Sequence, residues 1–227
     1  MRSCIILAIA VGAALLGSAC WAVDHRTAYS NFSSDHEGWG YNYDQGWFIV
    51  GKNVNEKQGQ EHAFRFMSAA SGIVSDIWVP IWTFGGYPDS KVTLRLARAR
   101  GALPPQPEDV METWTITDFR INGGHYIHPT HLIGNGGSRL EQGQAYWLWA
   151  AGADRTLCVW GYNSDPHLLL PHTVRTSGWG WRPITDETAS TFRVDVVIPE
   201  PAMLAFLAAG VLALLGRRRS QTWSSEL

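Results

Sequence analysis

The feature that most constrains this chain is an alternation of apolar and polar side chains at every second residue. Val92, Leu94 and Leu96 alternate with Thr93, Arg95 and Ala97; Phe64 and Phe66 flank Arg65; Phe192, Val194 and Val196 alternate with Arg193 and Asp195. A period of two sends successive side chains to opposite faces of a strand and does not suit an amphipathic helix. Runs of this kind at 46–50, 62–67, 73–81, 91–98, 111–117, 126–133, 145–150, 156–162 and 191–197 are separated by clusters of Gly, Asn, Asp and Pro, which set turns. The Gly-Ala-Leu-Pro-Pro-Gln-Pro stretch at 101–107 suits neither strand nor helix and is expected as an exposed loop. A turn at 108–112 is the most helix the middle of the chain offers, and no internal repeat is found. About nine short strands with frequent turn signals predict an all-β fold, a jelly-roll-like β-sandwich.

Both ends break this pattern. At the start, Arg2 forms a thin basic n-region, residues 4–16 an apolar h-region, and Gly17-Ser18-Ala19-Cys20-Trp21-Ala22 a run suited to cleavage, which together read as a signal peptide over 1–22. A cut after Ala22 is expected. A cut after Ala19 would place Cys20 first, as in a lipoprotein, but Gly17 stands where such a site wants Leu. Near the other end, Pro199 and Pro201 remove backbone donors and hold Ile198 and Glu200 extended, so Pro199-Glu200-Pro201 presents readable backbone. Residues 202–216 then carry no charge and are rich in Ala and Leu, which favours helix. Such a helix would be about 22 Å long, short of a ~30 Å hydrocarbon core, and snorkelling arginines with local thinning would close the gap. Arg217, Arg218 and Arg219 supply the basic stop and put the residues before Pro199 outside.

The order Pro199-Glu200-Pro201, apolar helix, Arg217-Arg218-Arg219 resembles the PEP-CTERM sorting signal of Gram-negative bacteria. The resemblance implies recognition by an exosortase-type processing enzyme. It also implies export to the surface or the extracellular polysaccharide matrix, which makes the membrane and extracellular polysaccharide the other expected partners. It places a sorting signal with its transmembrane helix at 198–219, and a cytoplasmic tail at 220–227. Most such tails end soon after the basic cluster, whereas this one continues through Trp223 and Glu226 to Leu227.

Between the two signals lie residues 23–197, enough for one domain with its own core. With Arg2, Arg217, Arg218, Arg219 and Glu226 set aside, 14 basic and 19 acidic residues remain, a balance of about −5 with no basic run. Nucleic-acid binding wants the opposite sign. Cys158 is left alone once Cys4 and Cys20 depart with the signal peptide. Its setting, Leu157-Cys158-Val159-Trp160, predicts a buried thiol. The stretches His62-Ala63-Phe64-Arg65-Phe66, Ala70 to Ile77, Leu94-Arg95-Leu96 and Leu140 to Leu148 are similar to choice-of-anchor domains, in particular the R type. Those are extracellular β-sandwich modules found ahead of different surface anchors, and they carry no agreed catalytic site.

No catalytic residue is expected: the chain lacks a Gly-x-Ser-x-Gly elbow, a His-Glu-x-x-His helix and a phosphate-cradling loop. Glu108, Asp109 and Glu112 read as a solvated face. His125, His128 and His131 are of the zinc-ligand type. On a strand, however, the first and third share a face that the second does not, and no carboxylate or cysteine stands near in sequence; surface histidines are the expectation. No cofactor is expected. Calcium is the one candidate ion, on Asp35, Glu37 and Asp44 or on Asn163 and Asp165, whose oxygens suit it and whose turn-forming habit explains them equally well. The remaining signal is the 12 Trp. Trp78, Trp114, Trp147 and Trp160 are expected in the core. Trp179 and Trp181, in a Gly-rich stretch, are the candidates for stacking on a glycan, with packing the favoured reading. The expected function is a non-enzymatic structural or adhesive role at the surface or in the matrix, with a carbohydrate-binding module as the alternative and a hydrolase a distant third.

Overall fold

A computed structural model describes residues 23–32, 41–54, 59–83, 87, 89–101, 104–119, 128–165, 167–185 and 187–199. The chain divides into two units: His25–Ile198, and a second comprising Met1–Asp24 and Pro199–Leu227. Of the second, only Val23, Asp24 and Pro199 are among the described residues.

The strands are β1 (Val23–Ser30), β2 (Tyr41–Val50), β3 (Gln60–Met67), β4 (Gly72–Val79), β5 (Ile81–Thr83), β6 (Val92–Arg98), β7 (Val110–Ile116), β8 (Thr130–Ile133), β9 (Arg139–Leu140), β10 (Ala145–Gly152), β11 (Leu157–Asn163), β12 (His172–Thr176), β13 (Trp181–Ile184) and β14 (Arg193–Pro199). The fold is thus all-β, as the alternation predicts, but with fourteen strands among the described residues rather than about nine. The run predicted at 73–81 is broken at Pro80, which cannot donate to a ladder. The run at 126–133 shortens to Thr130–Ile133, its first two residues lying outside the described ones. In place of a turn over 108–112, one 3-10 turn spans Pro107–Asp109.

The first sheet runs β1-β14-β4-β8, with β9 also on β4. The second runs β5-β11-β2-β3-β10-β6-β7, and β12 joins β3 while pairing with β13. The register is antiparallel throughout the central strands: β10 lies between β3 and β6, with Trp149 opposite Ala63 on one side and Arg95 on the other. At one crossing the backbones come very close. A Cβ on Gly46 would sit 2.3 Å from the Trp160 carbonyl oxygen on the neighbouring strand, so only glycine fits there.

One apolar core joins the two sheets. It takes Phe64 and Phe66 from β3, Leu94 and Leu96 from β6, Tyr146 and Leu148 from β10, and Cys158 and Trp160 from β11; the first sheet answers with Val74 and Ile77 of β4 and Val194 and Val196 of β14. These are the inward members of the alternating runs. Trp114, Trp147 and Trp160 are buried as expected. Trp78 is not a core residue: it is half-buried, and its ring lies flat on that of His131, 4.0 Å away at 8°.

Cys158 is buried and free. Burial pushes its thiol up to about 12, against the pull of hydrogen bonds from Ser90 and Thr83. Because the thiolate is the reactive form, a maleimide is expected to label Cys158 slowly in the native protein and rapidly after denaturation. Fast native labelling followed by intact-mass analysis would contradict the burial.

Candidate functional site

Alternation sends the second set of side chains on the second sheet away from the shared core, and those of β12, β3, β10 and β6 meet on its outer face. On β3 these are Glu61, Ala63 and Arg65, between inward His62, Phe64 and Phe66. On β10 they are Trp147, Trp149 and Ala151; on β6, Thr93, Arg95 and Ala97. β12 places Arg175 opposite Glu61, and β13 places Trp181 opposite Arg175. Ala63, Ala97, Trp147 and Trp149 form a separate apolar cluster here, with Trp181 packed against it.

Trp149 is the hub. Its Nε1–H donates to Glu61 Oε2 at 2.7 Å, and Arg175 Nη2 donates to Glu61 Oε1 at 2.6 Å. The Arg95 guanidinium lies 4.4 Å from the Trp149 ring centre, and that of Arg175 lies 5.3 Å away. Arg175 also sits 5.2 Å from the Trp181 ring, which meets Trp149 edge-on at 5.5 Å. Cations over indole faces are held by the ring quadrupole. Both Glu61 oxygens are therefore already engaged, while Arg95 Nη1 is buried without a hydrogen-bond partner among the described residues. Burial pulls the Arg95 pKa down, against the attraction of Glu61. Beyond Trp149 the strand carries only Ala151 and Gly152, which with Pro107 and Val110 help line a groove of about 570 Å³.

A second cluster lies inside. His62 Nε2–H donates to the Phe48 carbonyl oxygen at 2.9 Å, so His62 Nδ1 accepts, and His172 Nε2–H donates to it at 3.0 Å. His172 Nδ1 is then a lone pair, buried with no partner. Its ring stacks on Phe64 at 4.2 Å, and Trp47 meets it edge-on at 4.5 Å. Burial lowers His62 to about 4, against its hydrogen bond to Phe48; burial and the neighbouring His62 lower His172 to about 2. Both imidazoles are neutral packing groups at ordinary pH.

The sequence-predicted candidates fare unevenly. Pro199 ends β14; Glu200, Pro201, Arg217, Arg218 and Arg219 lie outside the described residues. Trp179 stands 67% exposed in the β12–β13 turn, against the packing role favoured for it, while Trp181 is half-buried. His125, Asp35 and Glu37 lie outside the described residues. His131 meets a carboxylate that is distant in sequence: its ring nitrogen is 2.6 Å from Asp76 Oδ1. Burial pushes the Asp76 carboxyl up, but the hydrogen bonds of His131 and Ser75 and the nearby histidine charges outweigh it and hold it below its usual value. Asn163 and Asp165 are turn formers, Asn163 Oδ1 accepting from the Asp165 N–H at 2.7 Å and Asp165 Oδ1 from the His167 N–H at 2.9 Å. Asp109 and Glu112 are not a solvated face: both are buried, Asp109 paired with Arg100 and Glu112 accepting from the Asn135 N–H. Among the described residues no three His, Cys, Asp or Glu side chains converge as metal ligands, and no helix is long and apolar enough to cross a membrane. Sequence reasoning missed Glu61, Arg95, Trp149 and Arg175 as a group, although their outward parity was visible. Compared with known proteins, the chain matches no family model and no curated protein.

Proposed function

We propose that this is an exported, non-enzymatic surface or matrix-associated protein. A jelly-roll-like β-sandwich, similar to choice-of-anchor domains, is carried out by the N-terminal signal, anchored by the apolar tail, and sorted by an exosortase-type enzyme at Pro199-Glu200-Pro201. The observation that carries this reading is the extent of the β-rich unit. It spans His25–Ile198, so it begins after the expected cut at Ala22, and β14 runs one residue past it to Pro199, the first residue of the Pro-Glu-Pro motif. Pro199 and Pro201 bias their neighbours toward extended backbone, which suits an enzyme that reads the motif.

Replacing Pro199, Glu200 and Pro201 by alanine in the native host should leave the protein unprocessed in the inner membrane. Fractionation with intact-mass analysis reads the outcome, and wild-type mass and location would sink the sorting reading.

A second reading makes the domain a carbohydrate-binding module. The groove on the outer face of the second sheet favours it, because Trp149, Arg95 and Arg175 line it and guanidinium groups suit the polar substituents of a sugar.

A further inference from the structure

Resting on that second reading, we propose that the groove floored by Ala151 and Gly152 and walled by Arg95, Trp149 and Arg175 binds an acidic polysaccharide whose sugars carry carboxylates, as uronates do. The charge count carries the argument. Two guanidinium groups stand over one indole, and the single carboxylate among them has both oxygens committed, one to Arg175 and one to Trp149. Arg95, seated on the Trp149 ring, lines the groove together with Arg175. A guanidinium presents donors in a fork that matches a carboxylate, so two of them beside one committed carboxylate suit a planar anion. A free anion would not need an open groove of about 570 Å³, a size typical of sites for larger ligands.

Of the rings, Trp149 lines the groove; Trp181, half-buried against it, and Trp179, exposed in the adjoining turn, lie outside that lining and would meet sugars that extend beyond it. The chain as a whole is negative, −2 by count, so a polyanion gains nothing from the surface at large and must be held by this local surplus. The same balance, with no basic track for a phosphate backbone, favours a glycan over a single-stranded nucleic acid.

The test uses the protein as its host processes it, purified in mild detergent and titrated calorimetrically with oligogalacturonate and oligomannuronate, with methyl-esterified oligogalacturonate as the uncharged control. At least one uronate should bind saturably, and more weakly as salt rises. Esterification should cost about 10- to 100-fold in affinity, and Arg95→Gln as much, with Arg95→Lys between. Since Arg95→Gln could disturb the Trp149 cluster, Ala151→Leu provides a second variant that obstructs the groove and leaves both arginines in place; it should weaken binding at least as much, with an unchanged melting temperature. Equal binding of the ester would keep the glycan-binding reading and overturn the acidic specificity. No binding of acid or ester by the folded chain would overturn both. A dextran sulfate or single-stranded oligonucleotide that bound more tightly than either uronate would overturn the carboxylate assignment.

Discussion

Trp160→Ala should be the most damaging tryptophan substitution in the chain. Trp160 is fully buried on β11, between β2 and β5. Its ring meets Phe64 of β3 edge-on at 5.0 Å and approaches Phe192, the residue that leads into β14, at 6.1 Å. Its Nε1–H donates to the Thr191 carbonyl oxygen at 2.9 Å in the core. Truncation removes the apolar contacts, leaves a cavity and deprives a buried carbonyl of its donor. Removal of a core Trp costs about 3–5 kcal/mol, and the deprived acceptor about 1–3 kcal/mol more. Against a total stability of roughly 5–15 kcal/mol for a domain, that is most of what there is. At about 2–4 °C per kcal/mol for a domain of this size, the melting temperature should fall by about 8–32 °C, if the variant folds at all. Trp160→Phe keeps a ring and should cost much less. Trp179→Ala, at an exposed turn position, should lie within about 0.5 kcal/mol of wild type. Thermal unfolding of the three variants, followed by near-UV circular dichroism, gives the ranking. A Trp160→Ala melting temperature within the error of wild type would remove Trp160 from the centre of the fold.

That contrast among tryptophans shows how far the sequence could be read. Alternation located the strands, because parity is a local property: Phe64, Leu94, Leu148 and Val194 all point where their neighbours require. It could not say which face of a strand meets which partner. Trp147 and Trp149 share the parity of outward residues on β10, yet both are buried, because β10 is a central strand with its outer face covered from β3, β6 and β12. The groove is equally non-local. Glu61, Arg95, Trp149 and Arg175 come together through a strand order that no short stretch encodes. β13 escaped notice for a more specific reason. Pro183 within Trp181–Ile184 argues against a strand, but among the described strands β13 pairs only with β12, and an edge strand tolerates proline. β1 carries mostly exposed side chains and so lacks the apolar alternation that marked the others. The histidine pair is the instructive miss. His125, His128 and His131 drew attention by their clustering in sequence, while His62 and His172, 110 residues apart, are the pair that meets.

Acid should destabilise the domain through that pair before its carboxylates titrate. In the folded protein His62 and His172 are neutral, lowered chiefly by burial to about 4 and about 2. Unfolded, both return to the ordinary value near 6.5. Below that value the unfolded chain takes up protons that the folded chain refuses, so stability depends on pH with a positive slope. The contribution is complete above about pH 7 and is lost as pH falls through 6.5 toward 4. Each histidine contributes at most about 1.4 kcal/mol per pH unit, and the two together should remove about 4 kcal/mol between pH 7 and pH 5. Asp76, held below 3.8, acts in the same direction but only under its own range, so the window above pH 5 belongs to the histidines. His172→Phe keeps a ring to stack on Phe64, cannot charge, and removes the buried lone pair on Nδ1; its cost is the donor it takes from His62. The variant should show about half the wild-type slope between pH 6.5 and pH 5 in urea unfolding. A wild-type midpoint that stays flat from pH 7 to pH 5 would mean that the pair is not neutral in the fold. An unchanged slope in the variant would assign the protons to other groups.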